Sequence, residues 1–189
     1  MKMLLTNKKM LYSALIVVLI AVVLLVFHIF NKRARNTKQN SSAMRVSSRG
    51  KSLIKKHEGL RLTAYLCPAN VPTIGWGHTR TVTIADVTAR RTITRAEAER
   101  LLASDIAIHE KPVRELNVKL TQNQYDALVS FVFNIGGSRF RTSTIRRMVL
   151  ENPDNPAIAD EFRRWNQAGG VVLNGLINRR NDEVRLYFS

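Results

Sequence analysis

The chain has 189 residues, enough for one domain of ordinary size and an additional segment. Its formal charge is +16, but residues 1–57 carry 12 Lys and Arg and no Asp or Glu, whereas residues 58–189 carry 18 Lys and Arg against 14 Asp and Glu. Most of the positive charge therefore precedes the main domain, which is only mildly basic, and it does not define a nucleic-acid-binding surface there. A single cysteine excludes an intrachain disulfide and a multi-cysteine zinc site.

An uncharged apolar run follows a short basic N-terminus of residues 1–10. Leu11–Phe30 is 20 residues long and rich in Leu, Val and Ile, which is long enough to cross a hydrocarbon core of about 30 Å as a helix. We interpret it as a retained transmembrane signal-anchor. A buried soluble helix and a cleaved signal peptide are the alternatives; the run is longer than the apolar core of most signal peptides.

A polar, basic segment without large apolar runs occupies residues 31–45 and is typical of a flexible linker. Positive residues are denser after the apolar run than before it. By the positive-inside rule alone, this distribution would leave the following domain, residues 46–189, in the cytoplasm.

The domain begins with a predicted helix in "SSRGKSLIKKHEG". Ser47 or Ser48 is suited to cap its start, and Gly59 suits the position after its end. Glu58, the first acidic residue of the chain, then lies in the last turn, where unpaired carbonyl groups disfavour a negative charge. "RLTAYL" and "TIGWGHT", separated by the turn-rich "CPANVP", predict a β-hairpin, and the β-branched "TVTIADV" favours a third strand.

The remainder is predicted to be helical. "TRAE" at 94–97 has the pattern of a capping box, and the apolar "LTQNQYDALVSFVFN" predicts a central core helix that ends at the glycine pair 136–137. Three further helices are expected in "TSTIRRMVLEN", "NPAIADEFRRWNQAGG" and "LINRRNDEVRLYF". A small sheet followed by several helices indicates an α+β fold.

Three residues around the predicted hairpin attract attention together: Glu58 before it, Cys67 in its turn region and Thr73 at its second strand. Each has an ordinary explanation. A lone Glu at a helix end is usually a solvated charge, a lone Cys a small buried apolar residue, and a Thr in a strand a structural residue. The residue types alone do not decide between these explanations and a catalytic role.

The spacing E-x8-[D or C]-x5-T of Glu58, Cys67 and Thr73 is followed in order by "TIGWGHT", "FNIGGSRF" with "TSTIRRM", and "GLINRRNDEVRLYF". This ordered set resembles the phage-type lysozymes, glycoside hydrolase family 24, across residues 46–189. The resemblance implies a two-lobed lysozyme-like fold with a small β lobe and a mainly helical lobe. It also implies a muramidase that cuts the β-1,4 bond between N-acetylmuramic acid and N-acetylglucosamine in peptidoglycan.

Carried over by position, the resemblance makes Glu58 the general acid and Thr73 a residue that holds the attacking water. Cys67 stands where many members have an Asp, and residues 59–85 contain no other Asp or Glu to replace it. The stereochemical course is therefore open between inversion, with Thr73 and Cys67 holding a water, and a covalent route with the thiol as nucleophile. We favour inversion.

Four supporting residues also follow from the resemblance. His78 is expected to pair with Asp105, and Arg179 to hold Glu58, with Arg180 as the rival for that role. Asn134 is expected to face the same junction. The ordinary alternatives are a core histidine, a solvated basic helix face and an amide that caps the core. The four histidines show no zinc-protease spacing and no phosphate loop is present, so we expect neither metal nor cofactor.

The expected partner is a peptidoglycan glycan strand, with no specific nucleic acid, and the protein is expected to be a monomer. Because peptidoglycan lies outside the inner membrane, we expect residues 11–30 to anchor the protein there with its C-terminal domain in the periplasm. The alternative is a membrane-tethered protein that binds peptidoglycan or nucleic acid through its basic arm without cleaving it.

Overall fold

A computed structural model describes residues 22–29, 31 and 44–189. The chain divides into two compact units, Met1–Asn40 and Ser41–Ser189. In the first unit, residues 22–29 are helical. Among the described residues, no helix has the length and apolar character needed to span a membrane. Most of the predicted anchor at 11–30 and of the predicted linker at 31–45 lies outside the described residues.

The second unit opens with helix α1, Ser48–Glu58, which two buried carboxylates hold at its start. The backbone N–H of Val46 donates to Glu110 at 2.7 Å, and that of Ser47 donates to Asp126 at 2.9 Å. Ser47 caps the helix, as predicted. Gly59 follows the last turn at φ 67°, a left-handed conformation that glycine adopts without steric cost. Glu58 is thus the last residue of a helix that Glu110 and Asp126 hold at its start and that Gly59 ends.

A two-stranded antiparallel sheet follows, formed by β1, Arg61–Leu66, and β2, Pro72–Gly75. Tyr65 lies opposite Thr73 across the pair. The predicted third strand is wrong: Ile84–Thr88 forms the short helix α2. Thr83 and Asp86 make reciprocal hydrogen bonds in a capping box there, and this local capping outweighs the strand preference of the β-branched residues.

The helical part is built around α4, Gln122–Ile135, which is buried along most of its length. It packs against α1, against α3 at Arg95–Arg114, and against α8 at Asn174–Tyr187. Thr94 and Glu97 form the predicted capping box of α3. Three shorter helices complete this part: α5 at Gly137–Arg141, α6 at Thr144–Glu151 and α7 at Ile158–Arg163.

The segment after α7 differs from the prediction of one helix through "NPAIADEFRRWNQAGG". The helix ends at Arg163, and β3, Gln167–Ala168, pairs with β4, Val171–Val172, in a small hairpin. Gly169 and Gly170 form its turn at φ 58° and 80°. Two consecutive positive φ values are typical of a two-residue hairpin turn, so the glycine pair begins a strand reversal instead of only ending a helix.

Candidate active site

The Glu58 side chain lies where α1, the β lobe and α8 meet. Its carboxylate is 20% exposed, and its Oε1 accepts a hydrogen bond from Arg179 Nη1 at 2.6 Å. Arg179 comes from the middle of α8, 121 residues further along the chain, and is itself buried. Of the two arginines predicted as candidates, Arg179 therefore makes the contact. A partly buried acid held by a buried cation keeps one defined orientation while part of it still faces solvent.

Gly77 closes the other side of this carboxylate and was not singled out from the sequence. It follows β2 in "GWGH" at φ 78°, and a Cβ atom placed on it would lie 3.0 Å from Glu58 Oε2. Both the backbone conformation and the short approach require a residue without a side chain. The glycines of "GWGH" were the available signal, since a glycine in or beside a strand often marks a site where another group approaches the backbone closely.

Cys67 and Thr73 lie on one face of the hairpin. The backbone N–H of Cys67 donates to the Val71 carbonyl at 3.0 Å. Tyr65, two residues before Cys67, lies opposite Thr73 on the neighbouring strand. Because facing residues of an antiparallel pair share a side of the sheet, the side chains of Cys67 and Thr73 project to the same side. Thr73 is buried, and Cys67 is half-buried.

The Thr73 hydroxyl has a fixed donor direction, because its Oγ1 donates to the Val71 carbonyl at 2.8 Å. A hydroxyl has one hydrogen to donate and two lone pairs. With that hydrogen engaged, Thr73 is left as a hydrogen-bond acceptor towards any other neighbour. The turn that brings the Val71 carbonyl beside Thr73 sets this donor direction, which the residue type alone does not predict.

The Cys67 thiol lies at the start of the turn that connects the two strands. Hydrogen bonds from the backbone N–H groups of Val71 and Ala69 lower its pKa below the ordinary value for cysteine. Backbone N–H groups favour the anionic form of a group that accepts from them. The thiol therefore carries more negative charge at neutral pH than an isolated cysteine.

His78 and Asp105 form the predicted pair, with His78 Nδ1 at 2.8 Å from Asp105 Oδ2. The other ring nitrogen of His78 lies 2.8 Å from the Thr81 hydroxyl. Both residues are buried, and the pair ties the segment after β2 to helix α3. The contacts of the pair are internal to the fold, and among the described residues they do not include Glu58.

Asn134 lies near the end of α4, and its side-chain oxygen accepts from Arg180 Nη2 at 2.9 Å. Arg180 is fully buried, its guanidinium lies 4.8 Å from the centre of the Phe131 ring, and burial lowers its pKa to about 10. Asn134 therefore contacts Arg180, whereas Glu58 is held by the preceding residue, Arg179.

Three interactions behind the acid were not predicted, and the two that Glu183 makes are buried. Glu183 accepts from Arg179 Nε at 3.2 Å and from the Ser130 hydroxyl at 2.7 Å, and Asp182 Oδ2 lies 2.9 Å from His57 Nε2. The sequence signal was the spacing in "RRNDE": on a helix, residues three and four apart share a face, so Glu183 reaches both arginines. In the described ranges, no cluster of three or more His, Cys, Asp or Glu could hold a metal ion.

A partly exposed carboxylic acid at the junction of a small β-sheet and a helical part is typical of a glycoside hydrolase of the lysozyme type. The profile described as "Phage lysozyme" matches residues 55–183. The endolysin of Acyrthosiphon pisum secondary endosymbiont phage 1 is 43% identical over 151 residues, covering 77% of this chain and 99% of that protein. The chain belongs to the phage lysozyme family.

Two further similarities agree with this assignment. The crystal structure of a P22 lysozyme mutant is 41% identical, with a TM-score of 0.66, and the match covers 77% of this chain and 99% of that one. A protein named SAR-endolysin from Bacteriophage PS119 is 35% identical over 127 residues, covering 67% of this chain and 73% of that protein. The protein is a glycoside hydrolase, a muramidase that cleaves peptidoglycan.

Proposed function

We propose that Glu58 is the general acid of the glycan cleavage and that the reaction proceeds with inversion. The observation that carries this proposal is the contact of 2.6 Å between Glu58 and the buried Arg179, at a carboxylate that stays 20% exposed. The acid protonates the glycosidic oxygen as it leaves, while the sugar ring develops positive charge. An orientation held by Arg179, with Gly77 leaving room for the carboxylate on the other side, suits directed proton transfer.

On the opposite face of the sugar ring, Thr73 and Cys67 hold the attacking water. Thr73 accepts a hydrogen bond from this water, since its own hydrogen is engaged with the Val71 carbonyl. Cys67 accepts the second, helped by the backbone N–H groups that lower the pKa of its thiol. Two acceptors fix both hydrogens of the water and direct an oxygen lone pair towards the anomeric carbon. As the new C–O bond forms, the ionised sulfur of Cys67 takes the proton that the water loses. The partial charge on sulfur supplies some of what a carboxylate supplies at this position in other members of the family.

The decisive experiment compares lysis of purified peptidoglycan by the full-length chain in detergent with lysis by Glu58→Gln. We expect the amide to reduce the rate by about 10³-fold, because it cannot donate the proton, while the size of the side chain is kept. Glu151→Gln, at an exposed carboxylate paired with Arg147, is the matched control and should retain full activity. Retention of activity in a folded Glu58→Gln variant would refute the proposal.

The covalent alternative has its own test. An activated glycosyl fluoride substrate should leave no sugar adduct on Cys67 in intact-protein mass spectrometry, since water and not sulfur attacks. A trapped adduct of the mass of one glycosyl unit on the tryptic peptide that contains Cys67 would establish the thiol as nucleophile.

We also infer that the protein acts in the lysis of a bacterial host by a phage, from a position on the outer side of the inner membrane as a monomer. The uncharged run Leu11–Phe30, the helical residues 22–29 and the similarity to a protein named SAR-endolysin support a signal-anchor. Alkaline extraction of membranes should leave the full-length chain in the pellet. External protease added to spheroplasts should digest residues 46–189, and protection of this domain would contradict the proposed topology.

A further inference from the structure

We propose that Glu183 is a positioning residue for the reaction: it fixes Arg179 in the place that Glu58 requires. The inference rests on the proposed role of Glu58 as general acid. It is carried by the geometry of Arg179, whose three guanidinium nitrogens each have one partner, and by the complete burial of Glu183 behind it.

The Arg179 guanidinium is held at two nitrogens and presented at the third. Nε donates to Glu183 Oε1 at 3.2 Å, and Nη2 donates to the backbone carbonyl of Ser130 at 3.1 Å. The guanidinium is planar and rigid, so fixing these two nitrogens fixes Nη1, which contacts Glu58 at 2.6 Å. The contacts with Glu183 and Ser130, on the core-facing side of the guanidinium, therefore determine where Arg179 meets Glu58.

Glu183 is itself fixed from two helices. The Ser130 hydroxyl on α4 donates to Oε1 at 2.7 Å, and Arg180 Nη2 on α8 donates to Oε1 at 3.3 Å. Arg180 also forms an ion pair with Glu183, its Nε lying 2.9 Å from Oε2. Ser130 thus contributes its hydroxyl to Glu183 and its carbonyl to Arg179, and binds both members of the pair. One α4 residue therefore sets the spacing between the buried carboxylate and the arginine that it orients.

The charges also balance around Glu183. Arg179 and Arg180 supply two positive charges, and Glu58 and Glu183 supply two negative charges when ionised. Burial raises the pKa of Glu183, and the two arginines beside it act in the opposite direction. Arg180, buried and without a solvent-facing role, offsets Glu183, which leaves the charge of Arg179 to act on Glu58. Without Glu183, both arginines would act on the acid together.

Other charged or titratable groups around this cluster lie on α1, α8 and β1. They are His57 and Asp182, which pair with each other, Lys56, which also contacts Asp182, and Tyr65, which senses the charges of Glu58 and Cys67. Among the described residues, none of these groups makes a hydrogen bond or an ion pair with Glu183, so a change in pH dependence on its substitution can be assigned to the Arg179 contact.

Glu183→Gln in the full-length chain is the test, because the amide keeps the shape and an oxygen for Ser130 while removing the charge. We expect kcat on soluble glycan strands to fall by about 10²-fold, with KM within about twofold, as for a reacting group displaced by a fraction of an ångström. The alkaline side of the pH profile of kcat should also move to lower pH. Two uncompensated arginines favour the ionised form of the acid, which cannot donate a proton.

Further variants separate this role from simple stabilisation. Ser130→Ala removes the hydroxyl but keeps the backbone carbonyl, and should shift the pH profile in the same direction by a smaller amount. The double variant Arg180→Met with Glu183→Leu removes the charge pair at similar volume and should fold even if Glu183→Gln does not. A wild-type kcat in either folded Glu183 variant, or a wild-type pH profile in Glu183→Gln, would overturn the proposal. Glu58→Gln, measured in parallel, tests the role of the acid separately: its loss of activity beside an unchanged Glu183→Gln would refute only the positioning role.

Discussion

The two sides of the candidate site are held by different forces. On the acid side, Glu58 depends on a buried set of charged side chains from one helix that is distant in sequence, α8, with Arg179 and Glu183 above all. On the water side, Cys67 and Thr73 are placed by backbone hydrogen bonds within one short hairpin. A charge network fails when one member is removed, because the others stay buried without a partner, whereas a backbone scaffold tolerates side-chain exchange. We therefore expect substitutions around Glu58 to reduce activity strongly, and substitutions at Cys67 or Thr73 to reduce it less.

Among variants that keep Glu58 itself, Arg179→Met has the largest expected effect. Removing the guanidinium frees Glu58 and leaves Glu183 with one cation fewer, so kcat should fall by about 10²-fold or more and the free energy of unfolding by about 3 kcal/mol. Turnover of soluble glycan and urea unfolding measure the two effects. Arg185→Met, at a side chain 78% exposed on the same helix, is the control and should change neither. Full activity in Arg179→Met would show that activity does not depend on the charged side chains around Glu58.

Gly77→Ala should have the next largest effect and tests the contact between the β lobe and the acid. The new methyl group lies 3.0 Å from Glu58 Oε2, and the backbone is in the left-handed region. Gly59→Ala is a matched control, since Gly59 has φ 67° and no atom within 4 Å of the added methyl. Both variants should lose about 1 kcal/mol of stability from backbone strain.

Activity should separate the two glycine variants. We expect kcat to fall by about tenfold in Gly77→Ala and to stay near the wild-type value in Gly59→Ala, as for a displaced reacting group. Equal activity of the two variants would show that the approach of Gly77 to Glu58 has no catalytic consequence.

Cys67→Asp tests the tolerance of the water side. A carboxylate accepts a hydrogen bond from the same water and stands at this position in many members of the family, so activity should stay within about tenfold of wild type or rise. Cys67→Ala removes the acceptor and should be the less active of the two. A complete loss of activity in a folded Cys67→Asp variant would instead indicate thiol-specific chemistry.

The smallest expected effect concerns His57, the residue before the acid. Burial lowers its pKa, and the positive charge of Arg179 adds to this, against the opposing effect of Asp182. A lowered pKa in the folded state means that the unfolded chain binds a proton first. The stabilisation is therefore complete above the ordinary histidine pKa of about 6.5 and is lost as pH falls through the lower folded value.

Urea unfolding at pH 7 and pH 5 should consequently show a loss of stability at pH 5 that is smaller in His57→Gln. Asp182 does not confuse the comparison, because the hydrogen bonds from Lys56 and His57 outweigh its burial and keep its pKa below the ordinary value for aspartate. An identical pH dependence in the two proteins would exclude His57 as a contributor.

Much of the local structure was predictable from the sequence. The caps at Ser47 and Thr94, the hairpin around "CPANVP" and the central helix α4 follow from short patterns that act within a few residues. The predicted pairs His78 with Asp105 and Arg179 with Glu58 are present as well. The strand expected at "TVTIADV" is a helix because the cap of Thr83 and Asp86 competes with β propensity, and a pattern alone does not rank these two preferences.

By itself, the sequence determined which chemical groups are available: one acid at a helix end, one thiol without a nearby carboxylate, and a family-specific order of motifs. Only the tertiary structure decided how those groups are oriented. It brought Arg179 to Glu58 across 121 residues, placed Glu183 and Ser130 behind that arginine, and turned the Thr73 hydroxyl towards the Val71 carbonyl. The reason is physical: propensities and caps act over a few neighbouring residues, whereas the placing of a buried charge depends on which distant elements pack around it and share its desolvation.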